Sequence, residues 1–187
     1  MGVIVMYDVI DIVNHIILRA NNNETPITNL LLQKILYYLN AEHLVRKGER
    51  LFSDKIEKWG YGPVIPVVYT EFKSKGAGLI DKPIDVLVDE KNHRDTDDKL
   101  FGSIYVRRFN DEVFTNEVDQ KDLASINEIT KKLLDAYSRN PFDLVEITHK
   151  EPMWANYEDK IKDHLNLAYS DEELNEYFGD GNKWPWD

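Results

Sequence analysis

Cysteine is missing from all 187 residues. That removes disulfides, thiolate metal ligands and thiol nucleophiles from consideration, and a secreted disulfide framework with them. Also missing is any run of about 18 apolar residues, the length a helix needs to cross a bilayer. Met1–Met6 is apolar but too short for the hydrophobic stretch of a secretory signal, and it runs directly into Asp8 and Asp11. A cytoplasmic location is therefore expected, with no membrane partner. Positive charge is scarce, with 23 Lys and Arg against 34 Asp and Glu for a net charge of −11. Such a field repels phosphate backbones, so nucleic acid is not an expected partner of this chain alone. No phosphate-binding GxxxxGK[ST] loop, HExxH pair or GxSxG elbow occurs, and Gly76–Ala77–Gly78 lacks the third glycine of a dinucleotide fingerprint. The histidines, at 15, 43, 93, 149 and 164, lack metal-ligand spacing. His93 with Asp95, Asp97 and Asp98 does not follow the EF-hand pattern and reads as a solvated charge run. No cofactor, metal or catalytic set is expected.

What is present is the composition of a folded globular chain, 42% apolar and 30% charged. No repeat or linker divides it, so residues 1–187 read as one domain. Apolar residues at three- and four-residue spacing predict a helix over Tyr7–Ala20 capped by Asp8, and another from Thr28 or Asn29 to Arg46, stopped by Gly48. Leu51 to Val64 suggests a short strand and a tight turn at Gly62–Pro63, and Pro66 opens a helix through Phe72. Residues 81–118 read as β-rich, with strands at Ile84–Val88, Ser103–Phe109 and Glu112–Thr115 and an exposed loop from Asp89 to Lys99. Helices return after Asp119 and after Asn140–Pro141, and Ser170 with Glu173 forms a capping box for a last short helix. The fold class is α+β, predominantly helical, with a small antiparallel sheet.

Aromatic residues punctuate this frame. Trp59 and Trp154 are expected in the core. Adjacent Tyr37 and Tyr38 point in different directions on a helix, which places at least one near the surface. Trp184 and Trp186, in the tail 180–187, are expected either to dock on the domain or to meet another chain. His149 reads as a packed or hydrogen-bonded residue near a helix C-terminus, where a cation is favoured; a hydrolytic base is the alternative, without a second group to work with it. Residues 151–187 carry ten acids and three bases, −7 of the total. That imbalance serves solubility or suits a basic partner.

Three segments together point to a family. They are Thr28–Asn29–Leu30–Leu31–Leu32–Gln33–Lys34–Ile35–Leu36–Tyr37–Tyr38, then Leu51–Phe52 with Ile56–Glu57–Lys58–Trp59–Gly60–Tyr61–Gly62–Pro63–Val64–Ile65–Pro66 followed by Tyr69, then Leu144–Val145–Glu146–Ile147–Thr148–His149–Lys150–Glu151–Pro152–Met153–Trp154. In content and order they resemble the SocA-like antitoxin family, also called the Panacea domain, from about Tyr7 to Phe178. The residues carrying the resemblance are Leu32, Gln33, Lys34, Tyr37, Trp59, Tyr61, Gly62, Pro63, Val64, Pro66, Tyr69, Thr148, His149 and Trp154, and their expected role is mainly structural.

The resemblance implies an antitoxin of a toxin–antitoxin pair, carried on prophages or other mobile elements, with a cognate toxin as partner. Family members face unrelated toxins, some neutralised by direct binding. One member is an adaptor that delivers its toxin to the ClpXP protease, so a ClpXP-type protease is an alternative partner. The family carries no established catalytic set. The negative charge suggests a toxin with a basic surface, and the partner-facing candidates are Trp184, Trp186, Tyr61 and Tyr38. Partner choice is expected in the 81–118 insertion and the tail, since surface elements vary on a shared scaffold. A hydrolase using His149 and a DNA-binding regulator complete the alternatives; charge and the lack of a helix-turn-helix signature count against the second.

Overall fold

A computed structural model describes residues 6–95, 97–163, 167–179 and 184–187. Helix α1 (Val9–Asn22) starts where the Asp8 carboxylate accepts from the Ile10 amide. Helix α2 (Asn29–Lys47) is capped by the Thr28 hydroxyl on the Leu31 amide and ends on Gly48, left-handed at φ 78°. Every residue from Leu31 to Ala41 is buried. A helix apolar or satisfied on all sides is a central one, and α2 packs against α5, α9, β2 and α3 at once.

Strands β1 (Glu57–Trp59) and β2 (Gly62–Val64) form a hairpin closed by Gly60–Tyr61. Leu167–Tyr169 runs along the free edge of β1, where the Lys58 amide donates to the Leu167 carbonyl and the Tyr169 amide to Ile56. Helix α3 (Pro66–Phe72) follows, with proline in its first turn, and leads into one 3-10 turn at Lys73–Lys75.

The insertion folds as strands β3 (Val86–Asp89), β4 (Asp98–Phe101) and β5 (Ile104–Arg107) in the order β3-β5-β4, all antiparallel, followed by helix α4 (Asp111–Glu117). Two expectations fail here. Residues 112–115 are helical, because the Asn110 side chain accepts from the Glu112 and Val113 amides and starts a helix that the Val113–Phe114–Thr115 run alone would not announce. The stretch read as a loop through Lys99 contains the start of β4, which pairs Asp98 with Val106 and Lys99 with Tyr105.

Helix α5 (Gln120–Tyr137) is capped by Asp119. Helix α6 (Phe142–Lys150) breaks at Glu151, whose extended backbone precedes Pro152 and the short α7 (Pro152–Ala155). Helices α8 (Glu158–Lys162) and α9 (Asp171–Phe178) complete the chain, α9 on the expected Ser170–Glu173 capping box. Among the described residues no helix is long and apolar enough to cross a membrane.

The tail docks on its own domain. Trp184 stacks on Phe178 at 4.5 Å, Trp186 meets Tyr38 edge-on at 6.0 Å, and the Tyr137 hydroxyl donates to the Pro185 carbonyl at 2.6 Å. Removing residues 184–187 is expected to cost about 2 kcal/mol, the value of two partly buried rings and one hydrogen bond. Urea unfolding of the truncated and full chains checks this; an unchanged midpoint would count against docking.

Candidate functional site

The familiar segments meet in space around a buried polar core. Lys34 has no exposed surface, and its ammonium group donates to the carbonyls of Tyr61 and, at 3.4 Å, Pro63, so α2 holds the hairpin turn from beneath. One residue earlier, Gln33 accepts from the Ile65 amide at 2.8 Å and donates to Asn29, which reaches the Tyr69 carbonyl. Gly62 sits at φ +91°, and a Cβ there would lie 2.5 Å from the Lys34 nitrogen and 2.6 Å from the Thr148 hydroxyl. Only glycine fits both the dihedral and the space. From the other side Trp154 donates to the Trp59 carbonyl at 2.9 Å, and His149 stacks on Trp154 at 3.6 Å.

Glu151 is the centre of the remaining network. It is buried, and the hydroxyls of Tyr37 and Tyr38 both donate to it, at 2.6 and 3.0 Å. This corrects the expectation for Tyr38. Both tyrosines are fully buried because α2 is enclosed on every side from Leu31 to Ala41, so Tyr38 cannot face a partner. It also shrinks the acidic surface expected of residues 151–187: Glu151 is internal, Glu173 bridges Lys58 at 2.8 Å, and Asp171 bridges Arg50 at 2.5 Å. Asp180 and Lys183 lie outside the described residues.

Burial pushes Glu151 up to about 7, against the opposing pull of the two tyrosine bonds and the Lys34 charge. Burial likewise brings Lys34 down to about 7, with Glu151 acting the other way. His149 is also lowered, by burial and then by the Lys34 charge. The signs of the pair differ in their effect on stability. Glu151 rises from an ordinary 4.5, so the folded chain holds the extra proton above pH 4.5, and this contribution is lost as pH climbs to about 7. Lys34 falls from 10.5, so its contribution is full above pH 10.5 and is lost as pH drops to about 7. Together they place a minimum near pH 7. In Glu151→Gln the acid-side limb should vanish: the difference in urea midpoint between wild type and variant should shrink steadily from pH 5 to 7. A constant difference would mean that Glu151 titrates normally.

A second buried cluster lies further along α2. Asp122 accepts from Tyr7, Arg46 and Lys47, with His43 at 3.4 Å. Burial works to raise its carboxyl, but the Lys47, Arg46 and Tyr7 bonds and the His43 charge together hold it well below the usual carboxylate range. It joins α2 to α5 and offers no open cavity. The His93 charge run is likewise occupied internally: His93 stacks on Tyr105 at 4.0 Å, and Asp97 faces Arg107 at 3.4 Å.

Above the buried core the hairpin presents its other face to solvent. A cavity of about 620 Å³ is lined by Leu30, Trp59, Tyr61, Val64, Tyr69 and Phe142, with Lys73 and Arg139 among its further lining residues. Trp59 crosses Tyr69 edge-on at 4.9 Å, and Tyr61 crosses Phe142 at 6.0 Å. Tyr61 is 65% and Phe142 55% exposed. The core expectation for Trp59 is thereby corrected: its backbone carbonyl faces inward to Trp154 while its half-buried ring forms a wall of this groove, its indole N–H on Glu57. Trp154 is buried as expected. Of the partner-facing candidates, Tyr61 lies on the groove, whereas Trp184 and Trp186 are half-buried against the domain. Phe142, Lys73, Arg139 and Glu151 were not singled out from sequence as site residues. Phe142 carried one signal, a large aromatic in the first turn of a helix where nothing apolar is needed.

The sequence matches the antitoxin SocA-like family, Panacea domain, over residues 32–155, a stretch holding Lys34, the hairpin, Thr148, Glu151 and Trp154. It is also similar to Antitoxin SocA of Caulobacter vibrioides (strain NA1000 / CB15N), 41% identical over 69 residues. That match covers 37% of this chain and only 37% of the relative's length. No solved structure matches.

Proposed function

Because the chain belongs to the SocA-like antitoxin family, Panacea domain, we propose that it neutralises a cognate toxin by binding it directly, without chemistry of its own, using the surface around the β1–β2 hairpin. One observation carries this reading: the residues of the three segments hold the hairpin from below through Lys34, Gln33 and Trp154, and leave its aromatic face open. Exposed aromatic rings set in a rigid frame are the usual anchors of a protein interface. The acidic field of the whole chain adds faster encounter with a toxin whose own surface is basic.

Expression of the neighbouring gene alone should arrest growth, and co-expression of this chain should restore it with the toxin still present at full level. The Tyr61→Ala/Phe142→Ala double variant should fold and lose rescue, with affinity for the toxin down at least about tenfold. A harmless neighbour, or failed rescue when both proteins are made, defeats the antitoxin reading. Rescue that works only while the toxin is degraded assigns an adaptor role instead.

A further inference from the structure

The groove differs in charge from the molecule that carries it. The chain as a whole has 34 acids, yet the lining of this cavity contains none, and it contains Lys73 and Arg139. Both cations are exposed, and among the described residues neither has an ion-pair partner. Lys75 and Lys132 are engaged by Asp81 and Glu128, whereas Lys73 and Arg139 stand on the rim of an aromatic cavity with their charge available to an incoming group.

The backbone at the start of α2 adds to the same sign. Thr28, Asn29 and Leu30 are the cap and first residues of the 19-residue helix α2, whose first turn holds no acid. Ser138 to Phe142 leads into α6, and these residues line the facing wall. The positive end of α2 therefore borders the aromatic cavity, while at the start of α6 Asp143 offsets the helix field. Coulomb attraction is stronger beside a low-dielectric wall than in open water, so such a groove discriminates by charge as well as by shape.

We propose that this groove takes an extended segment of the toxin in which one aromatic or large aliphatic side chain is flanked by aspartate or glutamate. The apolar side chain fills the space among Trp59, Tyr61, Tyr69 and Phe142, and the flanking carboxylates meet Lys73 and Arg139. The inference rests on the antitoxin reading for the identity of the partner but not for the chemistry of the groove. It fits a toxin that is basic elsewhere, since an acidic anchor on a basic protein finds few competing sites on the remainder of this acidic surface.

The test uses the full chain and short fluorescein-labelled peptides with amidated C-termini, each with a central phenylalanine flanked by glutamate, glutamine or lysine. Fluorescence anisotropy should show saturable binding of the glutamate-flanked peptide, weaker binding of the glutamine form, and none of the lysine form. Lys73→Glu/Arg139→Glu should weaken the glutamate-flanked peptide at least about tenfold and create binding of the lysine-flanked one. That gain excludes misfolding as the cause of the loss. Equal binding of all three peptides, or an unchanged preference in the charge-reversed variant, overturns the proposal. So does a concentration-dependent dimer in sedimentation that Tyr61→Ala dissolves, because the occupant would then be a second copy of the chain. Growth rescue by wild type without peptide discrimination removes this inference alone; peptide discrimination with failed rescue removes only the antitoxin reading.

Discussion

Glu151→Ala is expected to lower stability by about 3–5 kcal/mol, enough to unfold a domain of ordinary stability. The carboxylate accepts from two buried tyrosine hydroxyls at 2.6 and 3.0 Å. Alanine leaves both without an acceptor in a place water does not reach, and each such group costs about 1–3 kcal/mol. It also withdraws the negative charge that favours the ammonium form of buried Lys34. Tyr37→Phe/Tyr38→Phe in the same background removes the orphaned hydroxyls and should recover part of the loss, a non-additivity that double-mutant cycles read directly. Purely additive losses would show that the three groups do not act as one network. Chemical denaturation monitored by circular dichroism supplies the measurement.

Gly62→Ala should be nearly as damaging, at about 3–4 kcal/mol. A left-handed dihedral costs an alanine about 1–2 kcal/mol, and the methyl group would displace the Lys34 ammonium and the Thr148 hydroxyl, which lie 2.5 and 2.6 Å from it. Moving the ammonium breaks its bonds to Tyr61 and Pro63, leaving buried carbonyls unpaired at a further cost of about 1–3 kcal/mol. The hairpin would then lose its support, so the groove should lose peptide binding before the helical core melts. A variant with unchanged stability and an unchanged groove would refute this account of the hairpin.

Much of the helical frame was legible because its signals are local. Asp8, Thr28 and Gly48, Pro66, Asp119 and the Ser170–Glu173 box each act on backbone groups within a few residues, and the helices begin or end where they say. Helix α4 is illegible for the opposite reason: Val113, Phe114 and Thr115 carry strand preference, while in the molecule the Asn110 cap and the buried Phe114 decide. Tyr38 and Trp59 were misplaced because burial depends on neighbours. A helix wheel gives two tyrosines different directions, but only tertiary packing reveals that α2 has no outward face between Leu31 and Ala41. Glu151 read as one surface acid among ten, since the tyrosines that need it lie 113 and 114 residues away. The groove was the least legible feature. Its walls come from α2, the hairpin, the end of α3 and the turn before α6, and no periodicity links those segments.

The distance between Glu151 and its tyrosines also sets when the scaffold can form. Helices α1, α2 and α3 satisfy most of their backbone groups locally, so they are free to form early. The lysine beneath the hairpin gains its compensating carboxylate, and Trp59 gains Trp154, only when the last quarter of the chain arrives. Contacts of such long sequence separation are closed late, because chain entropy must be lost before they repay it. On a ribosome, synthesis proceeds at about 5–20 residues per second, so for seconds a nascent chain has Lys34 and Gln33 to hold the hairpin but not Glu151 or Trp154. A chain cut short before residue 151 would hold every lining residue of the groove but neither Glu151 nor Trp154 beneath it.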